Sequence, residues 1–283
     1  MERNGGTGVP SASRNARLAP VGALVAATAL SGLAVAALGA QSPFRGEQER
    51  RRVGPATDYE SNVRVPYDGR FAFVRLRYTM PGRAGGFRGF RREPPWAHDY
   101  PRSDRHLMKI LSEITLLRPH LDESAILTLD DPDLGNYPVA YMSEPGFWTM
   151  SDAEVAGLRA YLAKGGFVIF DDFRQEHWYN FEQQMQRALP SQPLVQLAPE
   201  HPVFHAFFEI DPRRFVSPYG GLTPMFYGVF ENNDPSKRLQ IVANYNNDLG
   251  EYWEFSDTGW VPVDLSNEAY KFGVNYIVYG MTH

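Results

Sequence analysis

The stretch SEPGFWTMSDAEVAGLRAYLAKGGFVIFDDF, residues Ser143–Phe173, decides the fold class that this sequence predicts. Ser151 is followed three residues later by Glu154, which is the spacing of a helix capping box. The next apolar side chains recur at helical spacing, and Gly165 supplies the positive φ at which many helices end. The run Phe167–Phe170 is continuously apolar, as expected for a strand covered on both faces. This order predicts a helix followed by a buried strand of an α/β sheet.

Two adjacent carboxylates, Asp171 and Asp172, follow the predicted strand. Open α/β sheets bind ligands at the carboxyl ends of their strands, so a ligand- or metal-binding role is one interpretation. Neighbouring side chains on an extended strand point in opposite directions. We therefore expect one carboxylate to face the crevice, and the other to cap the next helix or to pair with Arg75 or Arg77.

The alternation of strands and helices continues on both sides of this unit. Further strands are predicted at 71–78, 125–129, 137–142, 194–197 and 239–243, and further helices at about 103–117, 178–189 and 267–279. This pattern predicts a three-layer α/β sandwich with a mostly parallel sheet. Right-handed crossovers would then bring the carboxyl ends of most strands to one rim.

Composition excludes several kinds of chemistry. The 283 residues include no cysteine, which rules out disulfides, thiolate metal ligands and a cysteine nucleophile. The sequence has no G-x-S-x-G elbow, no P-loop and no Rossmann glycine fingerprint. A hydrophobic content of 43% supports a well-packed core. We therefore expect no cofactor, and no catalytic motif is recognised.

An uncharged stretch near the amino terminus, residues 18–40, follows a polar tail at residues 1–17. Its 23 residues are enough to cross the hydrocarbon core of a membrane. Its moderate hydrophobicity and the small residues near Ala40 also fit a signal peptide. Both interpretations predict export. We expect a retained transmembrane anchor on the periplasmic side of the cell envelope, with secretion after cleavage near Ala40 as the alternative.

A linker at 41–69 precedes the predicted domain at 70–283. Charge is distributed unevenly along the chain after residue 40. Residues 41–105 contain 14 arginines against 8 acidic residues, whereas residues 106–283 contain 11 basic against 24 acidic residues. An arginine-rich front can dock on an anionic membrane surface or an acidic protein partner. The candidate docking residues are Arg50, Arg51, Arg52, Arg83, Arg88, Arg91 and Arg92. The alternative is that these arginines are solvated or paired with the acidic body. We expect no binding to nucleic acid.

Histidines and carboxylates are candidates for an oxygen- and nitrogen-donor metal site, although no spacing of the HExxH kind is present. The candidate ligands are His98, Asp99, His201, His205 and Asp171. The plain alternative is that His98 and His201 bond backbone groups beside the prolines near them. Which metal such a site would hold does not follow from the sequence.

The segment Asn244–Glu254 concentrates amides and carboxylates directly after a predicted strand. Short polar side chains of this kind favour tight turns through bonds to the backbone. They would also suit a sugar or another polar ligand, with Trp253 as a stacking face. The candidate ligand-binding residues are Asn246, Asn247, Asp248, Trp253 and Glu254.

Six stretches in this order resemble the DUF4159 family of bacterial proteins. They are FVRLRYTMP at 73–81, WAHDYPRSD at 96–104, the unit 145–172, HPVF at 201–204, NYNNDLGEYWE at 244–254 and KFGVNYIVYGMTH at 271–283. The resemblance implies a flavodoxin-like fold similar to class I glutamine amidotransferases, preceded here by an apolar helix. That superfamily typically uses a cysteine nucleophile, which this chain lacks, so the resemblance supports the fold and not an activity.

Two functional hypotheses follow. The first is a non-catalytic, membrane-tethered periplasmic module that docks on and stabilises a larger membrane protein complex. The second is an exported enzyme, or a carbohydrate- or metal-binding protein, with a crevice at Asp171, His201 and Asn244–Glu254.

Overall fold

The computed structural model describes residues 59, 61–66, 68–80 and 93–283. The expectations for the tail at 1–17, the apolar segment at 18–40 and most of the linker concern residues outside this part of the chain. The same holds for all seven arginines proposed for docking. Within the described part, no helix is both long and apolar enough to cross a membrane.

Seven strands form one sheet in the order β2-β1-β3-β4-β7-β6-β5. Their bounds are β1 Val74–Leu76, β2 Ala125–Leu127, β3 Val139–Ser143, β4 Phe167–Phe173, β5 Val195–Gln196, β6 Met225–Phe230 and β7 Leu239–Tyr245. The pairs among β2, β1, β3, β4 and β7 are parallel, whereas β6 pairs antiparallel with β7 and with β5. The predicted α/β fold with a mostly parallel sheet is confirmed.

Helices cover both faces of the sheet. Their bounds are α1 Arg102–Ile114, α2 Asp152–Ala163, α3 His177–Ala188, α4 Leu249–Glu254 and α5 Val263–Thr282. One apolar cluster joins α2 and α3 to strand residues such as Val168 and Phe170. A second joins α1, α4 and α5 to the alternate strand residues, such as Phe167 and Ile169. Because the central strands are covered on both sides, they consist of apolar runs without alternation.

The unit at 143–173 folds as its sequence predicts. Ser151 caps α2 by accepting a hydrogen bond from the backbone N–H of Glu154, whose side chain accepts one from the N–H of Ser151. Gly165 follows the helix with a φ of 103°, and β4 begins two residues later. All seven residues of β4 are buried.

Two elements were not predicted from the sequence. Strand β6 contains Gly228, which weakens the strand pattern that its neighbours form. A Cβ atom at this position would lie 2.4 Å from Leu239 and 2.8 Å from Leu197, so the close approach of neighbouring side chains explains the glycine. Helix α4 is a single short segment within the stretch interpreted as a polar loop, and Asp248 caps it.

Candidate functional site

Acidic side chains converge at the carboxyl edge of the sheet. Seven carboxylates there are at most 8% exposed: Asp99, Glu144, Asp171, Asp172, Asp248, Glu251 and Glu254. They come from the loop before α1, from the residue after β3, from the end of β4, and from α4 with its cap. This edge is therefore the candidate functional site, in the position where open α/β sheets bind ligands.

Arg75 on β1 holds the loop that brings His98 and Asp99 to this edge. Its fully buried guanidinium contacts both carboxylate oxygens of Asp104, at 2.5 and 3.3 Å. It also donates to the backbone carbonyls of Trp96 at 3.2 Å and His98 at 2.8 Å. The expectation that Arg75 pairs with Asp171 or Asp172 is wrong, because Asp104 occupies that guanidinium.

Asp171 and Asp172 bond different partners at this edge, and the expected division into one crevice-facing and one structural carboxylate stays a prediction. Asp172 has a φ of 60°, and the pairing of β4 with β7 shifts register between Phe170 and Phe173. Asp99 and Glu144 also have left-handed backbones, with φ values of 65° and 47°. Such conformations are uncommon for residues other than glycine and cluster at functional sites.

Asp171 is bound on all sides by the protein. Its carboxylate accepts hydrogen bonds from the hydroxyl of Tyr141 at 2.9 Å and the amide of Asn244 at 3.0 Å. It also accepts from the backbone N–H groups of Leu249 at 2.8 Å and Gly250 at 3.1 Å, which begin α4. The last two bonds attach α4 to the end of β4, and the other two join Asp171 to β3 and β7, so Asp171 has a structural role at the floor of the site.

Asp172 connects the histidine, a serine and a tyrosine. Its Oδ2 lies 2.7 Å from Nδ1 of His98 and accepts a hydrogen bond from the hydroxyl of Ser143 at 3.2 Å. Its Oδ1 accepts from the hydroxyl of Tyr219. The Tyr219 ring lies under the guanidinium of Arg174, with 4.0 Å from Cζ to the ring centroid. Tyr219 thus covers the carboxylate from the loop that precedes β6.

Helix α4 brings the remaining carboxylates into the site. Asp248 accepts a hydrogen bond from the N–H of Glu251 at 2.9 Å and thereby caps the helix. Gly250 lies so close to Asp99 that an added Cβ would stand 2.5 Å from Oδ2 of that residue. A glycine is therefore required where the helix and the Asp99 loop meet.

Burial raises the pKa values of three of these carboxylates. Burial raises the pKa of Asp171 to about 6, and the charge of Asp172 adds to this rise. Burial raises the pKa of Glu251 to about 9, and the charge of Asp99 contributes. Burial, followed by the charge of Asp172, also raises the pKa of Asp248 well above its usual value. The site therefore retains protons near neutral pH.

His98 contacts two of these carboxylates, Asp172 at 2.7 Å and Asp99 at 3.4 Å. Burial by itself lowers the pKa of His98, but the charges of Asp99 and Asp172 raise it well above its usual value. The imidazole is 6% exposed. A protonated His98 offsets only part of the negative charge around it.

The sequence-predicted residues fall into two groups. Ligand atoms of His98, Asp99, Asp172 and Asp248 lie within 4.8 Å of one another, as do those of Asp99, Glu251 and Glu254. His201 and His205 do not belong to either group. His201 accepts a hydrogen bond from the N–H of Val203 and packs against the rings of Phe230 and Tyr279. His205 contacts Glu209 at 2.6 Å.

The remaining candidates of the Asn244–Glu254 segment have different environments. Asn246 lies at the surface and accepts a hydrogen bond from the N–H of Gln175. Trp253 is 1% exposed and packs against Tyr141, with 5.9 Å between ring centroids, so it presents no open stacking face. Asn247 is fully buried.

Residues 72–281 match the family model described as Domain of unknown function (DUF4159). The chain belongs to the DUF4159 family. No curated protein matches the sequence. The region that matches the DUF4159 model contains every carboxylate of the site as well as Arg75 and Tyr219.

Sequence reasoning missed three contributors to the site of this DUF4159 domain. The sequence predicts Arg75 only as a possible partner of Asp171 or Asp172, although an arginine in an apolar run can indicate a buried ion pair. Tyr219 lies outside the predicted strands and helices, and nothing local connects it with Asp172. Glu144 directly follows Ser143, the last residue of β3, so its position at the carboxyl edge of the sheet can be predicted. Its burial cannot.

Proposed function

We propose that this protein is a non-catalytic, membrane-tethered module of the cell envelope that docks on and stabilises a larger membrane protein complex. One observation supports the proposal that the module is not an enzyme. The edge where an α/β enzyme would bind substrate is filled by the protein's own side chains, and its seven carboxylates are at most 8% exposed. Tyr219 and the start of helix α4 already hydrogen-bond to Asp172 and Asp171.

We also propose that the fold belongs to the flavodoxin-like group that includes the amidotransferases. The five parallel strands follow the order β2-β1-β3-β4-β7, which corresponds to the 2-1-3-4-5 order of flavodoxin-like sheets. Amidotransferases of this group act through a cysteine, and this chain has none. A domain that keeps such a scaffold without its nucleophile is suited to a binding role.

The proposed means of attachment lie in the amino-terminal part of the sequence. Residues 18–40 are uncharged and long enough to span a bilayer. The arginines at 50–52 and at 83–92 supply positive charge next to a domain whose remaining chain is acidic. Arginine binds carboxylates and phosphates through two parallel hydrogen bonds, so it suits an acidic protein surface or anionic headgroups.

Fractionation and affinity purification test this proposal. The tagged full chain should sediment with membranes, and in mild detergent it should copurify with a defined set of membrane proteins. Mass spectrometry of the mature amino terminus would distinguish a retained anchor from cleavage near Ala40. A freely soluble chain without partners would contradict the proposal.

A pair of matched variants tests the role of the arginines. Arg91→Gln with Arg92→Gln should reduce recovery of the partner complex about ten-fold or more at low salt, because complementary charges steer and hold docking partners. Arg213→Gln with Arg214→Gln removes the same charge from another part of the domain and should leave recovery unchanged. Equal recovery with both variants would exclude the Arg91–Arg92 pair as a docking element.

The second candidate is an exported enzyme or a carbohydrate-binding protein that uses the same edge. It is favoured by the raised pKa values of Asp171, Asp248 and Glu251, since such shifts are frequent at active sites. A glycan array and a screen of hydrolase substrates would test it. Activity or binding that Asp172→Asn abolishes would favour this candidate over the docking module.

A further inference from the structure

We propose that His98, Asp99, Asp172 and Asp248 form a binding site for one divalent cation. The inference goes beyond the docking role and does not depend on it. It rests on the position of the four ligand groups, on their chemistry and on a buried amide beside them.

The positions fit a single ion. One ligand atom from each of the four residues lies within 4.8 Å of the other three. Atoms on opposite sides of a bound cation are separated by about 4.0 to 4.8 Å, twice a metal–ligand distance of about 2.0 to 2.4 Å. All four groups can therefore reach the same ion without a large rearrangement of the backbone.

The donor set also suits a cation. Three carboxylates and one imidazole are each at most 6% exposed, so water screens their charges poorly. Nδ1 of His98 lies 2.7 Å from Asp172 and 3.4 Å from Asp99. A divalent cation bound between these groups would offset more of their negative charge than the imidazole can.

A separate observation comes from Asn247. Its side chain is fully buried, and neither Oδ1 nor Nδ2 has a hydrogen-bond partner among the described residues. A buried amide without a partner is costly. Asn247 directly precedes Asp248 and bridges to Phe173, the residue after Asp172. It thus stands between two of the proposed ligand segments, and an amide oxygen there is a suitable additional ligand.

The mixture of donors narrows the choice of ion. Carboxylates suit Mg²⁺, Ca²⁺ and Mn²⁺, whereas imidazole suits Zn²⁺ and other transition metals. Mn²⁺ and Zn²⁺ accept both kinds of donor, so we expect one of them to bind more tightly than Mg²⁺ or Ca²⁺. The backbone positions of the ligands are held by Arg75 and by the cap of α4, so the site is preformed.

The test uses the purified full chain in mild detergent after treatment with EDTA and its removal. Mn²⁺, Zn²⁺, Ca²⁺ and Mg²⁺ are added separately, and bound metal is measured by elemental mass spectrometry together with the thermal unfolding midpoint. We expect one ion per chain. At a hundred-fold excess over the dissociation constant, the midpoint should rise by about 5 to 10 °C.

Two isosteric variants locate the site. Asp248→Asn keeps an oxygen to cap α4, and Asp99→Asn places a residue that tolerates the left-handed backbone, so both should fold. Each should weaken binding at least about ten-fold and remove most of the thermal shift. Asp122→Asn changes an exposed acid and should behave as the unchanged chain. No bound ion and no shift with any of the four cations would overturn the proposal. An ion still held with full affinity by both site variants would overturn it as well.

Discussion

The structure contains two buried charged arrangements that differ in balance. On β1, Arg75 is fully buried but pairs with Asp104, and its remaining N–H groups donate to a serine hydroxyl and two carbonyls. At the carboxyl edge, seven carboxylates are buried, and the buried His98 contacts two of them, Asp99 and Asp172. The first arrangement is neutral and its bonds are complete. The second carries an excess of negative charge.

This difference separates a structural role from a functional one. A balanced ion pair that orders a loop needs nothing further, and its chief effect is to place His98 and Asp99. An unbalanced cluster raises the pKa values of its own members and destabilises the fold at high pH unless protons or a cation neutralise it. Proteins retain such arrangements mainly where they serve binding or chemistry.

The largest expected effect comes from breaking the balanced pair. Arg75→Met leaves Asp104 buried without a counter-charge, so the free energy of unfolding should fall by about 3 to 5 kcal/mol. Urea denaturation measures this change. Adding Asp104→Leu should recover part of the loss, since the stranded charge is removed. Lys109→Met breaks the exposed pair of Lys109 with Glu113 and should have a much smaller effect. If this control variant lost as much free energy of unfolding as Arg75→Met, the distinction between buried and exposed ion pairs would be contradicted.

The second prediction concerns pH. Asp171, Asp248, Glu251 and His98 all have raised pKa values in the folded protein. Such groups bind more protons when folded, so their stabilising contribution is present at low pH and is lost as the pH rises. For Asp171 the rise from 3.8 to about 6 corresponds to about 3 kcal/mol, lost between about pH 4 and pH 6.

In EDTA, the free energy of unfolding should therefore decrease from pH 5 to pH 9. Glu251→Gln should flatten this decrease, because the pKa of Glu251 is raised to about 9. Glu113→Gln, on the exposed face of α1, should leave the slope unchanged between pH 5 and pH 9. A stability that increases over this range would show that the cluster does not carry excess charge.

The third prediction tests the floor of the site. Asp171→Asn replaces one acceptor oxygen by a donor and leaves at least one of its four buried donors without a partner. The free energy of unfolding should fall by about 1 to 3 kcal/mol at pH 7. Amide hydrogen exchange should locate the change at the start of α4. Unchanged protection of Leu249 and Gly250 would argue against this role of Asp171.

The smallest loss of stability is expected at Tyr219, which lies over Asp172. Tyr219→Phe removes the hydroxyl that donates to Asp172 but keeps the ring under Arg174. The expected loss is about 0.5 to 1.5 kcal/mol, the usual contribution of one hydrogen bond. Tyr179→Phe, on an exposed side chain of α3, is the control. A loss above about 3 kcal/mol would indicate that Tyr219 has a larger structural role than one bond.

Much of the fold could be predicted because its signals are local. The capping box of α2, the glycine that ends it and the apolar run of β4 lie within 31 consecutive residues. The parallel arrangement follows from the alternation of helices and strands. Strand β6 was missed because Gly228 interrupts its pattern, and that glycine is explained only by side chains of β7 and of the residue after β5.

The sequence by itself determined the class of the fold, the placement of Asp171 and Asp172 at the rim and the exclusion of cysteine chemistry. The tertiary structure decided which residues share the site. His98 meets Asp172 across 74 positions of the chain, and Asp171 holds the start of α4 across 78 and 79 positions. No local pattern encodes contacts over such distances.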